Sequence, residues 1–165
     1  MHLNVTTTLL KTMSKKILLS LFVAGILFSS CNSTGCYDNM DVLVYCNFYQ
    51  LSDKTAISVD SITVWGVGSD SLIYNNQTLS QLALELNPKS EETQYVIQAV
   101  QNGYTFIDTL SLYHTNQPWF QSMECGCMVN STLDSCKTEG SIIQSSVIVN
   151  PKVNTNQTKN VILYL

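Results

Sequence analysis

The chain has 165 residues, of which only 12% are charged, and a formal net charge of −4, where an average globular protein has roughly 25% charged residues. All eight positive residues are lysines and arginine does not occur. Without the guanidinium fork that grips phosphates and guanine edges through paired hydrogen bonds, this acidic composition argues against nucleic-acid recognition and phosphoryl transfer.

The first element is a leader. Lys11, Lys15 and Lys16 precede an apolar run from Ile17 to Phe28, and Ser29 and Ser30 lead into Cys31. A basic start, a short apolar core and a small-residue exit make an export signal over residues 1–30, with Met13 as an alternative initiator. The core falls well short of the ~20 apolar residues of a bilayer span. Cys31 after two small residues looks like a bacterial lipobox, in which that cysteine is lipidated and becomes the first mature residue. Cleavage by an ordinary signal peptidase is the alternative, because Phe28 stands where a leucine is commonest. Residues 31–40 then read as anchor and linker, and residues 41–165 as one domain. That mature chain keeps Lys54, Lys89, Lys137, Lys152 and Lys159 against all twelve acids. With no basic patch to hold an anionic surface, lipid on Cys31 would be its attachment to the membrane.

Along the domain, short runs rich in β-branched and aromatic residues alternate with turn chemistry. Residues 41–50 place Val42, Val44, Cys46 and Phe48 on one face, and residues 58–67 do the same with Ile62 and Val64. Gly66 to Asp70 reads as a turn into residues 71–75. Residues 79–86 have a helical composition, but Leu82, Leu84 and Leu86 alternate and Pro88 follows closely, so a strand is expected. Residues 92–101 and 104–114 flank Asn102-Gly103, a strong signal for a two-residue hairpin. Pro118 opens a strand over residues 119–130, and residues 141–149 and 159–165 form the last two. About nine strands without a convincing helix predict an all-β fold, an immunoglobulin-like antiparallel β-sandwich, with a lipocalin-like barrel as the alternative.

Beyond Cys31, five cysteines remain: Cys36, Cys46, Cys125, Cys127 and Cys136. Export implies an oxidising compartment in which pairing is the default, so all five are disulfide candidates, although an odd number leaves one thiol over. Cys125 and Cys127 would share a face of an extended segment and reach different partners, with Cys36 the first choice for Cys125. A zinc site would need a second matched pair of ligands, so no metal is expected, and no cofactor motif occurs.

Several of these features occur together: the lipobox, Cys36, Trp65 to Leu72 (WGVGSDSL), Leu84 to Pro88 (LELNP), Asp108-Thr109-Leu110 and Glu124-Cys125-Gly126. In this combination the chain resembles the uncharacterised small lipoproteins of Bacteroidota cell envelopes. The resemblance spans nearly the whole mature domain and implies an exported, small β-rich protein with no assigned activity. Cys46, Cys127 and Cys136 depart from the family's plainer Glu-Cys-Gly pattern. Bacteria of this group O-glycosylate exported proteins at Asp-Ser/Thr-aliphatic triplets, which by resemblance makes Ser61, Ser71 and Thr109 candidate sites. The plainer reading is that aspartate simply precedes strands.

Catalytic constellations are thin. Asp108, Ser111 and His114 fall close together in sequence, but a hydrolase triad needs its members to converge from separate elements, and a solvent-facing histidine beside a turn is the simpler expectation. Glu91 and Glu92 are adjacent and would face opposite ways, which suits a solvated turn better than a glycosidase pair. Trp65, Trp119 and Phe120 could stack on sugars, although strands favour aromatics for packing alone. The expected function is therefore a lipid-anchored envelope protein with a structural or protein-interaction role, periplasm-facing on the outer membrane, and not an enzyme. The alternative is a carbohydrate- or small-ligand-binding module with an aromatic cleft, so an envelope protein or a glycan is the expected partner.

Overall fold

A computed structural model describes residues 41–165 except Asn102 and Glu124, and leaves out the side chains of Gln101 and Gln121. The leader, Cys31 and Cys36 lie outside the described residues. Ten strands follow in chain order: β1 (Leu43–Tyr49), β2 (Val59–Gly66), β3 (Leu72–Leu79), β4 (Gln81–Glu85) and β5 (Glu92–Gln101), then β6 (Tyr104–Ser122), β7 (Gly126–Glu139), β8 (Ser145–Ile148), β9 (Lys152–Val153) and β10 (Lys159–Tyr164).

They form two sheets, ordered β4-β1-β10-β8 and β3-β2-β5-β6-β7-β9. Alternation along each strand decides which side chains meet between them. Val44, Cys46 and Phe48 of β1, Leu82 and Leu84 of β4, and Val161 and Leu163 of β10 turn inward from the first sheet. Ile62, Val64, Ile97, Ala99, Leu110 and Leu112 answer from the second. The result is an all-β two-sheet sandwich, and the barrel alternative fails because neither sheet closes on itself. The strand from Gln81 carries the expected inward leucines, since the alternation of Leu82 and Leu84 outweighs local helical propensity.

Two expectations need correction. The sandwich is not wholly antiparallel, because β1 pairs with β10 in parallel. Asn160 accommodates the irregular register there: its Oδ1 accepts from the Tyr45 N–H (3.0 Å), while its Nδ2 donates to the Asn150 and Lys152 carbonyls. The last residue is tied in as well, since the Leu165 N–H donates to the Tyr49 carbonyl. The second correction concerns residues 119–130, which are not one strand. β6 continues through Pro118 to Ser122, the chain turns, and β7 begins at Gly126, with Trp119 opposite Met128 and Phe120 opposite Cys127. Proline is tolerated because β5 pairs with β6 only as far as Tyr113, which leaves the rest of β6 with a single neighbouring strand. Residues 115–122 and 126–130 therefore form a two-stranded ribbon. The β5–β6 hairpin falls where expected, with Gln101 opposite Tyr104 and Gly103 at φ 80°.

Tyr95 joins the sheets through a hydrogen bond from its hydroxyl to the Glu85 carbonyl. Burial first, then the Glu85 carboxylate and Cys46, push its phenol from the usual 10.0 up to about 12. An acid whose folded pKa is raised contributes stability that is complete below its unfolded pKa and is lost as pH rises through the folded value. Tyr95's share of the stability is therefore expected to be constant across neutral pH and to be lost between about pH 10 and 12, while the buried thiols of Cys46 and Cys136 add a loss that begins at lower pH. Tyr95→Phe should reduce the first of these losses in urea titrations run at each pH. An equally steep decline in the variant would assign the alkaline transition elsewhere.

Candidate functional site

One end of the sandwich opens into a cleft of about 610 Å³ lined from both sheets. Gln50 follows β1, Ser58 and Asp60 flank the start of β2, Val100 and Phe106 border the β5–β6 hairpin, and Ser141, Ile142 and Gln144 come from the loop before β8. The lining is thus mainly amide, hydroxyl and apolar. Among the described residues its one side-chain carboxylate, Asp60, accepts a hydrogen bond from Thr78 Oγ1 at 2.9 Å.

A buried aspartate builds one wall of this cleft. Asp108 is fully buried on β6, where its carboxylate accepts hydrogen bonds from the backbone N–H groups of Ser141, Ile142 and Ile143 at 2.6–3.2 Å. Three amides converging on one carboxylate replace the water it lost, which lets an anion sit in an apolar interior. Gly140 makes the approach possible, since a Cβ there would lie 2.0 Å from Asp108 Oδ1. Asp108 therefore positions Ser141 and Ile142 at the cleft but has no oxygen directed into it by these contacts.

At the other end of the sandwich lies a polar network centred on His114. Against the expectation of a solvent-facing side chain, His114 is buried, because its strand alternates Asp108, Leu110, Leu112 and His114 toward the interior. Its Nε2 lies 2.8 Å from Thr93 Oγ1 and its Nδ1 2.9 Å from Asn116 Oδ1. Asn116 donates from Nδ2 to the Asn87 and Ser90 carbonyls, and its Oδ1 also accepts from Ser131 Oγ. With the Asn116 amide so oriented, His114 Nδ1 is the donor to Asn116 Oδ1. The network ties the β4–β5 loop to β6 and β7.

No triad forms from these residues. Asp108 and His114 are six residues apart on one extended strand, which separates them by about 20 Å. Ser111 is bonded by Gln94 Nε2 at 3.0 Å and points away from both. Among the described residues no group of three His, Cys, Asp or Glu side chains could hold a metal ion. Trp65, Trp119 and Phe120 are not among the side chains that line this cleft, whose aromatic among the described residues is Phe106.

The cysteines divide differently from the sequence expectation. Cys125 is disulfide-bonded. Cys46, Cys127 and Cys136 are free thiols and not bridge partners. Cys46 is a core side chain on β1, where burial, and then Cys136, push its thiol pKa up. Burial also raises Cys136, partly offset by a hydrogen bond with Ser146. Cys127 begins a strand after the turn and is exposed, so it does not share an extended segment with Cys125. Because the thiolate is the reactive form, a maleimide should modify Cys127 in the folded protein at least about a hundredfold faster than Cys46. Equal rates measured by peptide mass spectrometry would contradict this burial.

The three glycosylation candidates occupy unlike settings. Ser71 is exposed between β2 and β3. Ser61 is partly buried at φ 54°, where β2 is irregularly paired with β3. Thr109 is partly buried inside β6, between Val96 of β5 and Glu139 of β7. What led sequence reasoning past the roles of Asp108 and Asn116 is that their backbone partners lie 26–35 residues away.

Searches of the curated proteins and of the solved structures return no match. A family profile does match, across residues 61–165, from the start of β2 through the Asp108 latch and the His114 network to the last strand. The chain belongs to DUF6452, a family of unknown function.

Proposed function

We propose that the protein is a lipid-anchored binding module of a bacterial cell envelope, held by acyl chains on Cys31 and without chemistry of its own. The cleft supports this reading best. It is large enough for a small ligand, and its lining of amides and hydroxyls beside Phe106 suits an uncharged, hydroxyl-rich molecule such as a glycan. A single lining carboxylate offers no partner for general acid–base work on such a ligand. Thermal-shift measurements with envelope glycans test the reading. A rise in unfolding midpoint that is abolished by Phe106→Ala or Gln144→Ala supports it. No rise with any glycan, together with capture of an envelope protein through another surface, would favour a purely protein-interacting role.

The compartment belongs to the same proposal. A periplasm-facing position on the outer membrane of a Bacteroidota cell predicts that protease added to intact cells leaves the domain whole. The Cys36–Cys125 pairing fits a tether stitched to the domain, and non-reducing peptide mapping decides it. For glycosylation, Ser71 is the best placed of the three candidates, because its exposure admits a transferase that the interior of β6 would not.

A further inference from the structure

We propose that the tip of the β6–β7 ribbon is a membrane-contacting wedge, an inference that rests on the lipid-anchor reading. Beyond Tyr113 the ribbon leaves the six-stranded sheet, and its end carries Trp119, Phe120 and Met123 at 49%, 55% and 87% exposure. Three large exposed apolar side chains within five residues, Trp119 and Phe120 on opposite faces, give the end of the two-stranded ribbon the kind of apolar surface that marks a contact site. From residue 115 to 131 the sequence holds one charged residue, Glu124, and no lysine.

The path of the chain identifies the occupant. Asp41, Val42 and Leu43 line a depression together with Cys127, Met128 and Val129. The polypeptide therefore enters the domain beside the ribbon. Asp41 follows Cys31 by only ten positions, a span of at most about 35 Å. A bilayer holding Cys31 thus lies within reach of the ribbon end of the domain. Tryptophan settles at the headgroup boundary, where its apolar ring and its N–H are both accommodated, and phenylalanine and methionine add apolar area below it. With no basic residue in the ribbon, insertion draws on buried apolar area and gains nothing from anionic lipid.

The sequence holds two tryptophans, so Trp65→Phe leaves Trp119 as the single reporter. The full chain, purified from membranes, is mixed with an excess of phosphatidylcholine vesicles brominated in their acyl chains. Trp119 emission is expected to shift to the blue and fall by about half or more. Adding Phe120→Ser and Met123→Ser should lower the quenching by about threefold, and Trp119→Phe in the parent chain should remove most of it. Emission unchanged by bromination overturns the proposal, and so does Trp119 shielding that follows protein concentration without lipid, the mark of a second copy on the tip. Mass spectrometry of the Cys31 peptide reports acylation separately, so a missing acyl group defeats the anchor reading while the quenching still decides the wedge.

Discussion

Asp108→Ala is expected to lower the thermal unfolding midpoint by about 10–20 °C. The carboxylate is fully buried and holds the N–H groups of Ser141, Ile142 and Ile143. Removing it strands three buried donors and empties the space beneath the loop. Loss of one partner from a buried, charge-assisted cluster costs about 3–5 kcal/mol. Asp108→Asn keeps the shape but turns one acceptor into a donor aimed at amide N–H groups, so it should cost nearly as much. Gly140→Ala should act in the same direction, because its Cβ would press on the same carboxylate. The loop also lines the cleft, so all three changes should weaken any cleft ligand along with the fold. Calorimetry that finds Asp108→Ala within a few degrees of the parent would show that the loop is held by other contacts.

The second large effect belongs to the opposite end. His114→Ala removes a buried ring and leaves Thr93 Oγ1 and Asn116 Oδ1 short of a partner. The loss is about 2–4 kcal/mol from the lost hydrogen bonds and the cavity together. Asn116→Ala should be comparable, since that amide serves His114, Ser131, Asn87 and Ser90. The two changes share one network, so the double variant should lose less than the sum, with a coupling of about 1 kcal/mol or more. Additive losses in urea denaturation would mean that the histidine and the asparagine act independently.

Both effects arise where sequence patterning was least informative. Strand faces were legible because burial has a period of two: Val44, Cys46, Phe48, Leu82 and Leu84 all point inward as their spacing requires. The Asn102-Gly103 turn was legible because its backbone geometry selects its residues. Asp108 and His114 keep the same inward phase, yet a charged or ionisable residue reads as solvent-facing unless its partners are known. Those partners are backbone amides and an asparagine brought in by the fold. Pro118 misled in another way, since it marks a break in a central strand but not in a ribbon with one neighbour. The parallel pairing of β1 with β10 left no trace either, because strand direction is set by the path of the whole chain. In the cleft, no single residue type stands out, and only the meeting of Gln50, Phe106 and Gln144 at one end makes a cavity.

These features share an orientation along the sandwich. The chain enters beside the ribbon, the His114 network fastens that end, and the Asp108 latch shapes the cleft at the other.

Intact mass of the chain extracted from its native membrane tests the proposed anchoring most directly. The account predicts a polypeptide of residues 31–165 carrying acyl groups on Cys31. A chain that retains residues 1–30, or one whose Cys31 bears no lipid, would contradict it.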